Sequence, residues 1–381
     1  MTLPNPLKVL FFIPNLNGGG AERIVLTYLC NLDRKLFKPV LVLCEKKGVY
    51  LDSIPPDVEV YSLERRSRFS FPLLIFRFSK LVTKLRPHFI VSFLWYADVI
   101  QLLARKHGGP ITIASIHTVP DAIQLERYGY LKTWMTKRIY ARSDYIFTVS
   151  QAVADRISTY MRGGNDGNIS VQYNPFPLEE IRKKANEIDV KWPVVPGCRL
   201  ISVGRLEYIK GFDLLIEAAS ELPSELDWHL KILGTGSLEA DLLELCNMLG
   251  LQDRISFEGF VENPYGYVSS ADVLVLSSRF EAFPSVLVEA LALGTCVVAF
   301  DCPSGPGEII NHNFNGILVE PGDPYKLASA IQSLLEHQSD RESLSSHGPE
   351  TVSHMESQTV MESFQKRLIS VFQERSDHNF Q

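Results

Sequence analysis

Cysteine is scarce in this 381-residue sequence, and its six copies (Cys30, Cys44, Cys198, Cys246, Cys296, Cys302) are scattered with no Cys-x-x-Cys. That spacing excludes a zinc ribbon and a dithiol redox motif. Most of the six fall in apolar runs, so buried free thiols in a reducing, cytoplasmic compartment are expected. Long apolar runs are missing too. Val9–Ile13 stops at Pro14 and a glycine triplet, too short for a signal peptide or a membrane span. The longer apolar neighbourhood Ile90–Ala104 is interrupted by Asp98. There is no Asp-x-Asp, no His-x-x-x-His and no cluster with metal-ligand spacing, so neither a metal nor another cofactor is expected. Gly18-x-Gly20-x-x-Arg23 and Gly234-x-Gly236-x-x-Glu239 both lack the third small residue of a dinucleotide fingerprint, which counts against a nicotinamide oxidoreductase. Repeats and low-complexity tracts are absent as well.

The charge that is present is unevenly placed. Residues 1–175 hold 23 Lys and Arg against 13 Asp and Glu, whereas the remainder holds 15 against 31. A basic half points to an anionic partner. Short β-branched and apolar runs alternate with helical spacing twice over. Leu7–Ile13, Val40–Leu43, Val58–Tyr61, Phe89–Phe93, Ile111–Ile116 and Tyr145–Val149 read as strands of a first parallel sheet. Prolines 175, 177, 193 and 196 then mark a linker. Arg199–Val203, Leu230–Leu233, Ile255–Phe257, Val273–Leu276, Cys296–Ala299 and Gly316–Val319 restart the alternation. The expectation is an α/β chain of two facing, Rossmann-like, doubly wound domains with a cleft between them. Its parts are residues 1–173, a linker at 174–198, residues 199–352, and a C-terminal helical tail at 353–381.

Chemistry concentrates where strands run out. Val273–Leu276 leads into Glu281, then Pro284 and Ser285 start a helix with a capping hydroxyl at hand, and Glu289 lies one to two turns inside it. Two carboxylates and the free N–H groups of a helix start suit a polyol such as a sugar or ribose. An amphipathic helix with a salt-bridged Glu explains the spacing equally well. Arg205 and Lys210, after the strand ending at Gly204, suit a diphosphate; the alternative is a pair of solvated loop cations. Gly18–Gly19–Gly20 lets backbone approach a phosphate or sugar, or forms a tight turn. His117 closes the strand Ile111–Ile116 and is either a cleft residue or a structural one. Ser62–His88 interleaves seven Lys and Arg with aromatic and aliphatic residues, and Arg127–Arg142 repeats the pattern. That suits an anionic membrane surface or a solvated basic face; no nucleic-acid module is visible.

Taken together these motifs resemble the retaining GT-B glycosyltransferases of family 4. The residues that carry the resemblance are Gly18–Arg23, Ser143–Ser150, Val203–Leu206 with Lys210–Gly211, Leu233–Gly236, and Glu281 to Glu289 with seven residues between. Ala282 and the Ser304–Glu308 turn depart from the common pattern, which bears on sugar specificity. The resemblance implies a hexosyl or N-acetylhexosaminyl unit transferred from a nucleotide diphosphate sugar, UDP ahead of GDP, without a metal. The acceptor would be a glycan or a polyprenyl-diphosphate-linked sugar at the inner membrane face. It implies that Arg205 and Lys210 hold the diphosphate. Glu281 and the backbone of Phe283, Pro284, Ser285 and Val286 would hold the sugar, and Glu289 the ribose. Gly204, Gly234, Phe260 and Val261 would border the nucleotide in the C-terminal, donor-binding domain. In the N-terminal, acceptor-binding domain Gly19 and Gly20 would border the phosphates and the acceptor, and His117 the transferred sugar. The tail is implied to cross back to the N-terminal domain. A sugar-nucleotide 2-epimerase and a non-catalytic sugar-nucleotide-binding protein share the architecture and are separated from a transferase by product analysis.

Overall fold

The computed structural model describes residues 6–65, 70–106, 108–117, 134, 136–138, 140–161, 168–193 and 197–378. The chain divides into two compact units, Met1–Phe176 with Met355–Gln381, and Pro177–His354.

The first unit is built on a parallel sheet of seven strands: β1 (Leu7–Ile13), β2 (Phe37–Leu43), β3 (Glu59–Ser62), β4 (Phe89–Phe93), β5 (Ile111–Ile116), β6 (Tyr145–Thr148) and β7 (Ile169–Val171). Their order is β3-β2-β1-β4-β5-β6-β7. Helices α1 (Gly20–Asn31), α2 (Phe71–Leu85), α3 (Trp95–Ala104) and α4 (Gln151–Met161) connect them. Period-two alternation sends β1 to both faces. Val9, Phe11 and Ile13 enter one core with Val25 and Leu29, and Leu10 and Phe12 enter another with Leu74 and Phe78.

The second unit has six parallel strands: β8 (Cys198–Val203), β9 (Trp228–Leu233), β10 (Ile255–Gly259), β11 (Val273–Leu276), β12 (Cys296–Phe300) and β13 (Ile317–Val319). Their order is β10-β9-β8-β11-β12-β13. Its helices are α5 (Leu178–Ala185), α6 (Phe212–Ser220), α7 (Glu239–Met248), α8 (Tyr265–Ser270), α9 (Ser285–Ala292), α10 (Pro306–Ile309), α11 (Pro324–Glu336) and α12 (Gln338–Thr351). In α11, Pro324 takes the first position and the Asp323 carboxylate accepts from the N–H groups of Tyr325 at 3.0 Å and Lys326 at 3.1 Å. The last helix, α13 (Ser357–His378), belongs to the first unit, where Met361, Phe364, Leu368 and Val371 join the core of β1 and α1.

Several features depart from the sequence expectations. The stretch 174–198 is not all linker, because α5 forms there on buried Leu178, Ile181 and Ala185. Strand β7 and helices α8, α10 and α12 were not expected. The helical tail expected over 353–381 forms as a helix over Ser357–His378. The second basic run, Arg127–Arg142, for which helical spacing over Tyr130–Ala141 predicts a helix, lies largely outside the described residues, as do Arg66, Arg68, Arg127 and Lys132. Five cysteines are buried, none is in a disulfide, and Cys30 is exposed. No helix among the described residues is long and apolar enough to cross a membrane.

Candidate functional site

In each sheet the strand order reverses once, between β1 and β4 and between β8 and β11. Chains leaving those strands turn opposite ways, which opens a crevice at their C-terminal ends. The expected site residues follow these strands or the neighbouring β5, β9 and β10.

In the second unit, Gly204 and Arg205 leave β8, and a single turn, Tyr208–Lys210, leads to Gly211. Gly211 has φ +63°, and a Cβ there would strike the Ser277 carbonyl beyond β11. This glycine lets the two strand ends close on each other. Ser277 Oγ donates to the Lys210 carbonyl at 3.2 Å. Across the same gap Lys210 Nζ meets Glu281 Oε1 at 2.5 Å, and Ser278 Oγ donates to that oxygen at 2.7 Å. Glu281 is only 9% exposed. A carboxylate this buried needs such partners. Both bonds fall on Oε1, so among the described residues Oε2 has no hydrogen-bond partner and can accept from a ligand hydroxyl. Arg205 is exposed, with no ion pair among the described residues. It therefore has its full charge to give a ligand, while Lys210 shares its charge with Glu281.

The Glu281 loop is strapped in place. Arg279 forks onto Asp213 at 2.7 and 2.5 Å, reaches the Tyr208 carbonyl at 2.9 Å, and stacks 4.1 Å over the Tyr208 ring. Burial pushes the Asp213 pKa up, but the Arg279 hydrogen bond and charge, with the Leu214 and Asp213 backbone N–H groups, together outweigh it and leave the carboxyl below its usual range. From β12, Ser304 Oγ donates to the Glu281 carbonyl. Gly305, at φ +93°, packs where a Cβ would sit 2.6 Å from Pro284 Cδ.

Helix α9 starts at Ser285 with Pro284 as its N-cap and no side-chain cap, so the expected capping hydroxyl is not used. The Leu287 N–H donates to the Pro284 carbonyl at 3.1 Å, which leaves the Ser285 and Val286 N–H groups at the helix start for an oxygen-rich ligand. Phe283 and Pro284 are buried, and Ser285 and Val286 half-buried. Glu289 lies on the fifth residue of α9, 4% exposed. At the neighbouring strand ends, Gly234 has φ +137°, and a Cβ on it would run into the Gly204 carbonyl. Its N–H donates to the Gly259 carbonyl at 2.7 Å, which leads to exposed Phe260 and half-buried Val261. The geometry thus joins Lys210, Glu281, Gly204 and Gly234 by direct packing. Arg205, Glu289, Phe260 and Val261 lie on the same strand-end side.

In the first unit, Gly18 has φ +104°, Gly19 caps α1 and Gly20 opens it, all beyond β1. His117 follows β5, one strand past the reversal. Its Nε2 lies 3.0 Å from Ser115 Oγ, and its ring 5.4 Å from that of Phe93. Burial pushes the imidazole down to a pKa of about 4, so it is neutral near pH 7. The Ser278 and Ser304 hydrogen bonds to Glu281 and the Arg279–Asp213 fork were not expected from the sequence, although Ser278, Arg279 and the Ser304–Glu308 turn lie in or beside the stretches that the motifs marked.

Among the described residues no group of three or more His, Cys, Asp or Glu is placed to hold a metal.

Residues 193–351 match the family model described as glycosyl transferases group 1, and residues 18–180 the model described as glycosyltransferase family 4. A Campylobacter jejuni protein is 29% identical over 86% of this chain and 90% of its own length. It is named N-acetylgalactosamine-N,N'-diacetylbacillosaminyl-diphospho-undecaprenol 4-alpha-N-acetylgalactosaminyltransferase. Anabaena HepE, solved in complex with UDP, superposes with a TM-score of 0.79 at 21% identity, over 96% of this chain and 100% of that one. Sucrose-phosphate synthase from Thermosynechococcus elongatus does so with 0.81 at 19% identity, over 97% and 100%. With a glycosyltransferase model on each of its two parallel-sheet units, the chain belongs to the GT-B glycosyltransferases.

Proposed function

We propose that this protein transfers a hexosyl or N-acetylhexosaminyl unit from a UDP-sugar to a hydroxyl of a lipid-linked glycan, with retention at the anomeric carbon and without a metal. The observation that carries the reading is the Lys210–Glu281 pair, set at the strand reversal between the Gly204 turn and the uncapped start of α9. In this reading Glu281 Oε2 accepts from a sugar hydroxyl, and Glu289 holds the ribose. Arg205 and Lys210 neutralise the diphosphate as the anomeric carbon–oxygen bond breaks. The acceptor oxygen bonds to the anomeric carbon on the same face, and its proton passes to the departing phosphate oxygen. No separate general base is required. His117, neutral near pH 7, supplies a hydrogen bond to substrate rather than a charge, and Gly19 and Gly20 allow close backbone approach to phosphate.

UDP is favoured by the UDP complex of HepE, and a polyprenyl-diphosphate acceptor by the name of the Campylobacter relative. A peripheral position at an anionic membrane face is supported by α2. There Leu73 and Phe76 (66% exposed) share one face with exposed Lys80 and Lys84. The test is a panel of UDP- and GDP-sugars, each with and without a polyprenyl-diphosphate-linked glycan, followed by NMR of the product's anomeric configuration. Acceptor-dependent release of UDP with a retained anomer is the expected result. Conversion of the sugar nucleotide without an acceptor would replace the transferase reading with an isomerase.

A further inference from the structure

At the opposite end of the first sheet from His117, about 20 Å along β5 at 3.3 Å per residue, lies a cavity of about 460 Å³ that the transfer reading leaves unused. It opens beside the N-terminal ends of β4 and β5, between the C-terminal ends of α2 and α3 and the last turns of α13. Its volume falls in the range of small-molecule sites. Phe78, Val82, Ile90, Ala104 and Phe372 form an apolar wall. Four cations, Arg86, Arg105, Lys106 and Arg375, also line it, and no acidic side chain among the described residues does.

The cations are not all spoken for. Asp144 pairs with Arg105 and lies 3.9 Å from Arg375 Nη1. Arg86 and Lys106 are exposed and have no ion-pair partner among the described residues. Arg86 is also held in a costly backbone shape. It caps α2 at φ 45°, ψ 57°, where glycine is the usual choice, and its N–H donates to the Val82 carbonyl at 2.9 Å. The wall contains two buried polar atoms with no hydrogen-bond partner among the described residues, Gln101 Oε1 and Arg375 Nη1. Bulk water does not reach them, so a small turn of either side chain toward a seated ligand is what would pair it. His88 adds a donor. Its Nδ1 accepts the Lys8 N–H at 2.8 Å, so in the neutral ring the proton is on Nε2.

We propose that this cavity is a second ligand site, separate from the sugar-transfer site, for a single-chain amphiphile. The apolar body fills the wall and the anionic head meets Arg86 and Lys106. The proposal does not depend on the transfer reading, because its test measures binding alone. Dodecyl phosphate, kept below its micelle concentration, is titrated calorimetrically into the full chain. Dodecyl maltoside tests the same chain with a neutral head, and inorganic phosphate tests the head without a chain. Saturable binding of dodecyl phosphate is expected, at least tenfold tighter than either control. Arg86→Gln with Lys106→Gln, both at exposed positions, should weaken it at least tenfold with an unchanged melting temperature. Ala104→Trp, which fills the cavity, should remove it. No binding of dodecyl phosphate, equal binding of dodecyl maltoside, or unchanged affinity in the double variant would overturn the proposal.

Discussion

Lys210 and Glu281 are 71 positions apart in sequence, and nothing in either neighbourhood announces that they pair. Their residue types and strand-end positions were legible, because an apolar strand that stops at Gly204 or Ser277 leaves its next polar residues at the sheet's ligand end. The pairing was not, because it depends on β11 lying beside β8 and not beside β10. Lys210→Ala and Arg205→Ala should each raise the transfer barrier by about 2–4 kcal/mol, read from kcat/KM. Lys210→Ala should also lower the melting temperature, since it strands the buried Glu281 carboxylate, whereas Arg205→Ala should leave it unchanged. A different effect is expected at Asp98. This residue is 1% exposed, with Ser92 Oγ at 2.5 Å and the Tyr140 hydroxyl at 2.9 Å. Burial pushes its pKa up to about 8 despite those two donors. The folded value lies above the unfolded one of about 3.9. Its contribution is therefore fully present below that unfolded value and is lost as pH rises through about 8. The slope is at most about 1.4 kcal/mol per pH unit. Denaturant melts from pH 5.5 to 9 should show wild-type stability falling relative to Asp98→Asn; parallel curves would mean that Asp98 is ionised throughout.

Among elements, the legible ones bury both faces or show a clean helical stripe. β4 (FIVSF) and β11 (VLVL) are buried at every position, and α6 begins and ends where its apolar spacing does. The elements that escaped notice are polar. Helix α5, LEEIRKKA, buries three residues in a charged segment flanked by prolines. Helix α12 is serine-rich and buries Leu344 and Gly348, where a Cβ would press to 2.7 Å from the Leu291 carbonyl. Their helicity comes from packing on α9, which no local pattern encodes. Helix α13 shows the converse. Its stripe was legible, and Phe364, 4.7 Å from the Tyr28 ring, sits in the core of the first unit. Phe364→Ala should cost about 3–5 kcal/mol in equilibrium unfolding of that unit. Asp323→Ala, which removes the α11 cap, should cost about 1 kcal/mol. A Phe364→Ala loss as small as the cap's would show that α13 is peripheral to that core.

For the whole molecule, the two alternating βα series fixed the class of fold, and the glycine turns at the strand ends located the candidate donor side. Sugar, base and acceptor were not legible. No spacing rule covers Ala282 or the Ser304–Glu308 turn, where this chain departs from the family's common pattern. If protein cations alone neutralise the leaving diphosphate, transfer should persist in EDTA at the wild-type rate; complete loss that Mg²⁺ or Mn²⁺ restores would require a metal in the mechanism. The most direct measurement is UDP release from the preferred UDP-sugar with a polyprenyl-diphosphate-linked acceptor, comparing wild type, Lys210→Ala and Glu281→Gln under one set of conditions. Acceptor-dependent turnover by the wild type and a loss on the order of 100-fold or more in both variants is the predicted result. Wild-type turnover in both variants would contradict the assignment of the Lys210–Glu281 pair as the centre of the reaction.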